Sequence, residues 1–164
     1  MSTASRPAAE PAPAAPAAPT APAAPARPAP SKAVPRPTPD TRPFWDGAAA
    51  GELRIQRCDG CGRHFFYPRP ACPHCGSGDV AWVTATGRAT LHSYVINHRP
   101  APGFEDEAPY VIAIVELEEG VRMMSNLVGV SADPEHLPLD LPLRVVFEPR
   151  GDVRLPLFTP AEAR

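Results

Sequence analysis

The sequence predicts a mainly β protein, in which a short helix and a metal-binding ribbon precede a small five-stranded barrel. Three observations support this fold. All four cysteines of the 164-residue chain lie within residues 58–75. Five β-type segments follow in roughly 75 residues, without a long helical period among them. An Ala/Pro-rich segment precedes both regions, so the folded part is expected to begin near Phe44.

The N-terminal segment, residues 1–43, is predicted to be a disordered tail. Ala and Pro supply 27 of these 43 residues, and none of the 43 is aromatic. Such a segment cannot bury enough apolar surface to offset its chain entropy, and its regularly spaced prolines favour polyproline II. No secretory-type hydrophobic core or membrane-length apolar run occurs, so we expect a cytoplasmic protein with no membrane contact.

The helix and the ribbon are assigned to residues 44–83. The stretch DTRPFWDGAAAG predicts a helix capped by Asp40 or Thr41, with Pro43 in its first turn and Gly51 at its end. ELRIQR then alternates apolar and polar residues, as a strand leading into the cysteines would. VAWVTA reads as the strand that leads out of them.

The barrel is assigned to residues 84–160. Four strand-like segments and a short last one are predicted; in order they are residues 90–96, 109–120, 121–129, 143–148 and 153–158. The EEG before residue 121 predicts a hairpin turn. An OB-fold suits this number of strands, and an SH3-like barrel or a small sandwich fits nearly as well. The long connections 97–108 and 131–142 are where binding sites are expected.

The cysteine cluster predicts one structural Zn²⁺. Two C-x-x-C pairs supply the four thiolates of a complete tetrahedral shell, which leaves no open position for substrate. Gly62 and Gly76 suit the tight turns after each pair. The predicted ligands are Cys58, Cys61, Cys72 and Cys75.

The sequence alone leaves open iron as the metal and histidine as a ligand. Rubredoxin-like iron uses the same local pattern, although the short spacing favours zinc. His64 and His74 lie within the cluster and are interpreted as surface imidazoles, since four cysteines already complete the shell.

No catalytic motif was identified. The patterns G-x-S-x-G, G-x-G-x-x-G and H-E-x-x-H and the phosphate-binding P-loop do not occur. Glu116, Glu118 and Glu119 are interpreted as solvated charges beside a turn. We therefore expect no catalytic residues and no activity of the chain alone.

The ordered motifs resemble the DUF35 family. The resemblance rests on FWDG, the two knuckles CDGCG and CPHCG around YPRP, then SYV, PYVIAIVELEEGVR and SNLVG, and it covers residues 44 to 160. It implies a rubredoxin-like zinc ribbon followed by an OB-fold. Pro142 stands near a position where family members often carry glycine.

The resemblance also implies a function. DUF35 proteins resemble non-catalytic accessory subunits that bind CoA or acyl-CoA beside a thiolase-like acyltransferase, an aldolase or an enoyl-CoA hydratase, in lipid or polyketide metabolism. Guanidinium groups suit the phosphates of a CoA thioester, and aromatic rings suit its adenine. The candidate contacts are Arg99 and Phe104, in the first long connection, together with Arg88 and Arg122.

Two other functions fit part of the sequence. Zinc ribbons and OB-folds also occur in single-stranded nucleic-acid-binding modules. Eleven Lys and Arg against sixteen Asp and Glu, however, give the chain after residue 43 a net charge of −5, which disfavours a phosphate backbone. A stand-alone enzyme would need a catalytic set. The consecutive aromatics at 65–67 cannot all enter one small core, so at least one is expected to face a partner unless the helix covers them.

Overall fold

The computed structural model describes residues 32–161. The prediction of disorder for residues 1–43 falls mostly on residues outside this range. The first described residues, at the end of the predicted tail, contact the barrel: the Lys32 ammonium contacts the carboxylate of Glu107, and Val34 lies beside Gly151. None of the helices in the described range has the length and apolar character needed to cross a membrane.

The helix and the ribbon form as the sequence predicts, with one difference in the cap. Helix α1 spans Arg42–Ala50 and ends at Gly51, whose φ of 80° is the left-handed conformation that favours glycine. Thr41 occupies the N-cap position without making a capping bond. Its hydroxyl accepts from the backbone N–H of Thr38 instead, so the predicted side-chain cap is wrong.

The ribbon is a three-stranded antiparallel sheet. Its strands are β1 (Arg54–Cys58), β2 (His64–Phe65) and β3 (Val80–Thr84), and β1 lies in the centre. The sequence predicted β1 and β3. The two residues of β2 are too few to show the alternation by which a strand is recognised.

The barrel contains five strands and closes on itself. The strands are β4 (Arg88–Asn97), β5 (Tyr110–Leu117), β6 (Arg122–Leu127), β7 (Pro142–Arg150) and β8 (Val153–Pro160). Their spatial order is β4-β5-β6-β8-β7, and β7 pairs back onto β4. This five-stranded closed barrel confirms the predicted OB-fold. Pro142 is the first residue of β7, a strand position that tolerates proline.

One pair of neighbouring strands in the barrel is joined over a very short length. Strands β6 and β8 are parallel and pair only at Leu127 and Phe158. Two residues earlier on each strand, the Ser125 hydroxyl donates to the carbonyl of Pro156 over 2.8 Å. A side chain therefore holds the two strands together at the point where backbone pairing stops.

The ribbon and the barrel share one hydrophobic core. Strand β5 alternates strictly, and its buried residues, from Val111 to Leu117, face the barrel interior. Phe44 of α1 and Leu53 and Ile55 at the start of the ribbon belong to the same buried cluster. The helix and the start of the ribbon are therefore packed directly against the barrel.

The junction between ribbon and barrel has little room. Gly87 precedes β4 with a φ of 75°, and a Cβ on it would lie 2.6 Å from the Cγ1 of Val145. The backbone N–H of Val145 donates to the Gly87 carbonyl over 2.8 Å. Glycine is required here both by the backbone conformation and by the close approach of β7.

Candidate functional site

The two cysteine knuckles repeat one backbone pattern. In each, the first cysteine's carbonyl accepts from the glycine four residues on, Gly62 for Cys58 and Gly76 for Cys72, over 2.8 and 3.0 Å. Its N–H donates to the carbonyl five residues on. Both glycines have φ above 70° with open space around them, so the conformation rather than packing requires glycine.

The knuckles bring four sulfurs to one point. All four Sγ atoms lie within 4.8 Å of one another. The Sγ atoms of Cys58 and Cys75 are 3.6 Å apart, and those of Cys61 and Cys72 are 3.7 Å apart. A tetrahedron with metal–sulfur bonds of about 2.3 Å has edges of about 3.8 Å. The four cysteines therefore fit a tetrathiolate metal site.

Two of these thiols, those of Cys72 and Cys75, have pKa values shifted in opposite directions. Burial raises the pKa of Cys72, but hydrogen bonds from the backbone N–H groups of His74 and Cys75 and from the adjacent thiols bring it down to about 7. The Ser77 N–H lowers the pKa of Cys75, but the thiols of Cys58 and Cys61 and burial raise it to about 12. Thiolates this close repel one another, and a central divalent cation removes that repulsion.

The predicted role of the histidines agrees with the geometry. Among the described residues, the cluster able to hold a metal contains the four cysteines and neither His64 nor His74. Gln56 is a buried residue that the sequence did not single out. It is 5% exposed, and its Oε1 accepts from the Arg69 N–H over 2.7 Å, which fixes the segment between the knuckles.

The three consecutive aromatics point in different directions. Phe65 is buried with Cys58 and Cys72, whereas the Phe66 ring lies 5.4 Å from the ring of Phe44 in α1. Tyr67 is 52% exposed and its ring lies 4.3 Å from that of Phe66. The helix thus covers Phe66 and leaves Tyr67 at the surface.

An apolar groove runs between α1, the exit of the first knuckle and the β6–β8 closure. We call it the aromatic groove; it has a volume of about 280 Å³ and contains no charged side chain. Its lining residues are Thr41, Phe44, Trp45, Phe66, Tyr67, Pro68, Met123, Met124, Ser125, Asn126, Leu155, Pro156 and Leu157.

A second cluster forms where the first long connection meets the end of β7. The Phe104 ring lies 5.2 Å from that of Tyr110. The Lys32 Nζ is 4.6 Å from the centre of the Phe104 ring, and the Arg150 guanidinium carbon is 5.6 Å from it. Two cations therefore lie over one half-buried ring.

The four candidate CoA contacts do not come together. Arg88 forms a two-point ion pair with Glu118 at 2.5 and 2.7 Å, and Arg122 pairs with Glu116 at 2.6 Å. Both lie near the EEG hairpin turn. Arg99 and Phe104 follow the other end of β4, and a strand of ten residues places them on the order of 30 Å away.

Comparisons with known proteins agree with this architecture. Residues 45–81 match the rubredoxin-like zinc ribbon domain of ChsH2, and residues 82–148 match the ChsH2 C-terminal OB-fold domain. A DUF35 domain-containing scaffold protein of Methanothermobacter thermautotrophicus is 39% identical over 96 residues, which cover 58% of this chain and 71% of that protein.

This chain belongs to the DUF35 family.

Two further proteins that are similar to this chain carry functional names. The 3-oxo-4,17-pregnadiene-20-carboxyl-CoA hydratase alpha subunit of Mycobacterium tuberculosis is 43% identical over 130 residues, which cover 78% of this chain. This chain spans only 40% of the length of that subunit. A chain in the solved structure of the Ltp2-ChsH2(DUF35) aldolase is 38% identical with a TM-score of 0.68, and the match covers 77% of this chain and 98% of that one.

Several residues at these sites of the DUF35 chain have contacts that the sequence does not predict. The prediction of a solvated Glu119 is wrong for one carboxylate oxygen, because its Oε1 accepts from the Thr86 N–H over 2.7 Å. Glu116 and Glu118 are paired with arginines. Lys32 and Arg150 meet at Phe104 although 118 positions of sequence separate them. The only available signal for Lys32 was that it is the single lysine of the chain.

Proposed function

We propose that this DUF35 chain is a non-catalytic accessory subunit that holds the CoA part of a substrate beside an acyl-CoA-processing partner. The observation that carries the proposal is the match to nearly the whole of a chain in the Ltp2-ChsH2(DUF35) aldolase. The related hydratase alpha subunit supports it from a second reaction class. The partner would be a thiolase-like enzyme, an aldolase or an enoyl-CoA hydratase.

The proposed cofactor is one structural Zn²⁺, held by Cys58, Cys61, Cys72 and Cys75. A closed thiolate shell supplies folding free energy to a ribbon whose own buried residues are few. The backbone N–H of His74 lies 3.4 Å from the Cys72 sulfur and helps to hold its negative charge. The metal would act by fixing β1 and the aromatics that follow it.

Of the two sets of candidate CoA contacts, we favour the set at the Phe104 end of the barrel. Arg99 is exposed and forms no ion pair with residues 32–161, whereas Arg88 and Arg122 would have to give up their glutamate partners. Lys32 and Arg150 over the Phe104 ring add positive charge at this end of the barrel. Each is itself paired with a carboxylate, Glu107 for Lys32 and Glu148 for Arg150, so Arg99 is the cation proposed to meet the phosphates. Arg88 and Arg122 remain the alternative contacts at the opposite end.

Co-expression with an acyl-CoA enzyme tests the accessory role. We expect the two chains to elute together, and we expect the partner's turnover to fall when this chain is omitted. A chain that stays apart from every thiolase-like, aldolase or hydratase enzyme tested, and leaves their rates unchanged, would contradict the proposal.

Matched arginine variants of the complex test the site. Arg99→Ala should raise the KM for acyl-CoA several-fold with kcat nearly unchanged, as expected when a uniform binding contact is lost. Arg122→Ala is the control for lost positive charge on the barrel and should leave KM unchanged. If Arg122→Ala raises KM and Arg99→Ala does not, CoA binds at the hairpin end instead.

A further inference from the structure

The N-terminal segment carries a regular proline pattern that the accessory role does not use. Six prolines follow one another at intervals of three: Pro13, Pro16, Pro19, Pro22, Pro25 and Pro28. A polyproline II helix has three residues per turn, so in that conformation all six rings would lie along one face. We call this set the proline stripe.

The aromatic groove is a receptor of matching chemistry. Proline-rich segments in polyproline II form dock into aromatic-lined grooves, where proline rings pack on aromatic faces and their carbonyls accept hydrogen bonds. Trp45 and Tyr67 provide both the rings and the donors, an indole N–H and a hydroxyl. Tyr67 is 52% exposed and Met124 is 57% exposed, so this apolar surface lacks a cover among residues 32–161.

The charges of the groove and the segment also match. No charged side chain lines the groove. Residues 11–30 contain one charged residue, Arg27, which is not part of the stripe. Placing the stripe in the groove would therefore require no charge to be desolvated.

The segment reaches the described structure next to the groove. Lys32, its first described residue, lies over the Phe104 ring. The depression around Phe104 and the aromatic groove share three lining residues, Asn126, Leu155 and Leu157. Pro28 is four residues before Lys32, a distance of about 12 Å in polyproline II. A stripe that runs back from Pro28 in this conformation would therefore begin close to the aromatic groove.

We propose that the proline stripe of this chain binds its own aromatic groove in polyproline II form. The segment pays little ordering entropy, because proline already restricts its backbone. Tethering raises its effective concentration to the millimolar range, so even weak docking would keep the groove largely occupied. The N-terminal segment would then act as an internal cover for an apolar surface.

Two full-length variants distinguish the effect of the stripe prolines from the effect of changing the composition of the segment. In the first, serine replaces all six stripe prolines. In the control, serine replaces six neighbouring alanines, namely Ala14, Ala17, Ala21, Ala23, Ala26 and Ala29. Both variants keep the chain length, the charge and the folded part.

The readout is the pair of indole N–H signals in a ¹⁵N-correlated NMR spectrum. The chain has two tryptophans, Trp45 in the groove and Trp82 in β3, so each signal can be followed separately. Loss of the stripe should shift the Trp45 signal and leave that of Trp82 in place. The alanine control should leave both signals where the unaltered chain has them.

Adding Tyr67→Ala to all three chains tests the groove. Tyr67 is exposed, so its removal should not unfold the ribbon. The difference in Trp45 signal between the stripe variant and the control should then shrink or disappear.

Three outcomes would overturn the proposal. The first is a Trp45 signal that is the same with and without the stripe. The second is a stripe-dependent shift that grows with protein concentration, because the groove would then hold the segment of a second copy. The third is a Trp45 shift that appears only when an acyl-CoA enzyme is added, because the groove would then be a partner surface left open in the free chain.

Discussion

Glu119 is joined to Thr86 by a hydrogen bond of 2.7 Å from the Thr86 backbone N–H to the Glu119 Oε1. Glu119 belongs to the turn between β5 and β6, and Thr86 lies between ribbon and barrel. The second carboxylate oxygen, Oε2, is buried and has no hydrogen-bond partner among residues 32–161. One side chain thus ties the hairpin to the connection that orients the two parts of the fold.

Glu119→Ala should destabilise the junction. Loss of this exposed hydrogen bond costs on the order of 0.5–1.5 kcal/mol, which lowers Tm by roughly 4 °C per kcal/mol in a domain of this size. Glu119→Gln keeps an acceptor oxygen for Thr86 and should stay within about 1 °C of the unaltered protein. Thermal unfolding by circular dichroism measures both. Equal losses for the two variants would show that the charge, and not the hydrogen bond, matters.

Gly87→Ala should be more damaging than other glycine substitutions. The new Cβ would meet Val145 at 2.6 Å and would adopt a φ of 75°. Strain and overpacking together cost on the order of 2–4 kcal/mol. Gly78→Ala is the control, because nothing lies within 4 Å of its added Cβ. Comparable midpoints for the two variants in urea would rule out the close approach of β7 as the cause.

Cys72→Ser should release the metal and unfold the ribbon. The substitution removes a buried ligand, and metal binding supplies much of the ribbon's folding free energy. His74→Ala, in the same knuckle, should keep one metal per chain. Elemental analysis gives the metal and its amount. A stoichiometric iron content would assign iron in place of zinc, and a folded protein with neither metal would refute the metal site.

Arg122→Ala should lower stability at neutral pH but not at acid pH. The hydrogen bond and charge of Arg122 lower the pKa of Glu116 below its ordinary value. A lowered folded-state pKa contributes stability above the unfolded pKa, about 4.3, and that contribution is lost as the pH falls through the folded pKa. The difference in Tm from the unaltered protein should therefore be largest near pH 7.

Arg154→Ala is the control for this pH dependence. Arg154 is an exposed arginine of β8 that forms no ion pair with other residues of the described range. Its removal should leave the pH profile unchanged. A Tm difference for Arg122→Ala that persists at pH 3 would show that the arginine acts through packing.

The sequence was sufficient for the parts of the fold that rest on local pattern. The near-continuous apolar run that ends at Gly120 identified β5, and the spacing of the cysteines identified the knuckles. Gly51 marked the end of α1 because a left-handed C-cap requires a residue of that kind.

The parts that escaped prediction depend on contacts between distant segments. Lys32 reaches Phe104 only once the chain has packed along the end of β7, and Glu119 reaches Thr86 only after β5 has folded back. The aromatic groove combines α1, the knuckle exit and two barrel strands, none of which indicates a groove alone. Local periodicity in the sequence carries no information about contacts between distant segments.

The backbone pairing between β6 and β8 is much shorter than that between the other neighbouring strands of the barrel. Every other neighbouring pair of strands is joined by several backbone partners, whereas this one depends on Leu127 with Phe158 and on the Ser125 hydroxyl. Opening at this position breaks few backbone hydrogen bonds and therefore requires less free energy than unfolding the domain. Amide hydrogens at the β6–β8 edge should consequently exchange with solvent sooner than those between β4 and β5. Such exchange would show that the barrel opens locally on the side that carries the aromatic groove.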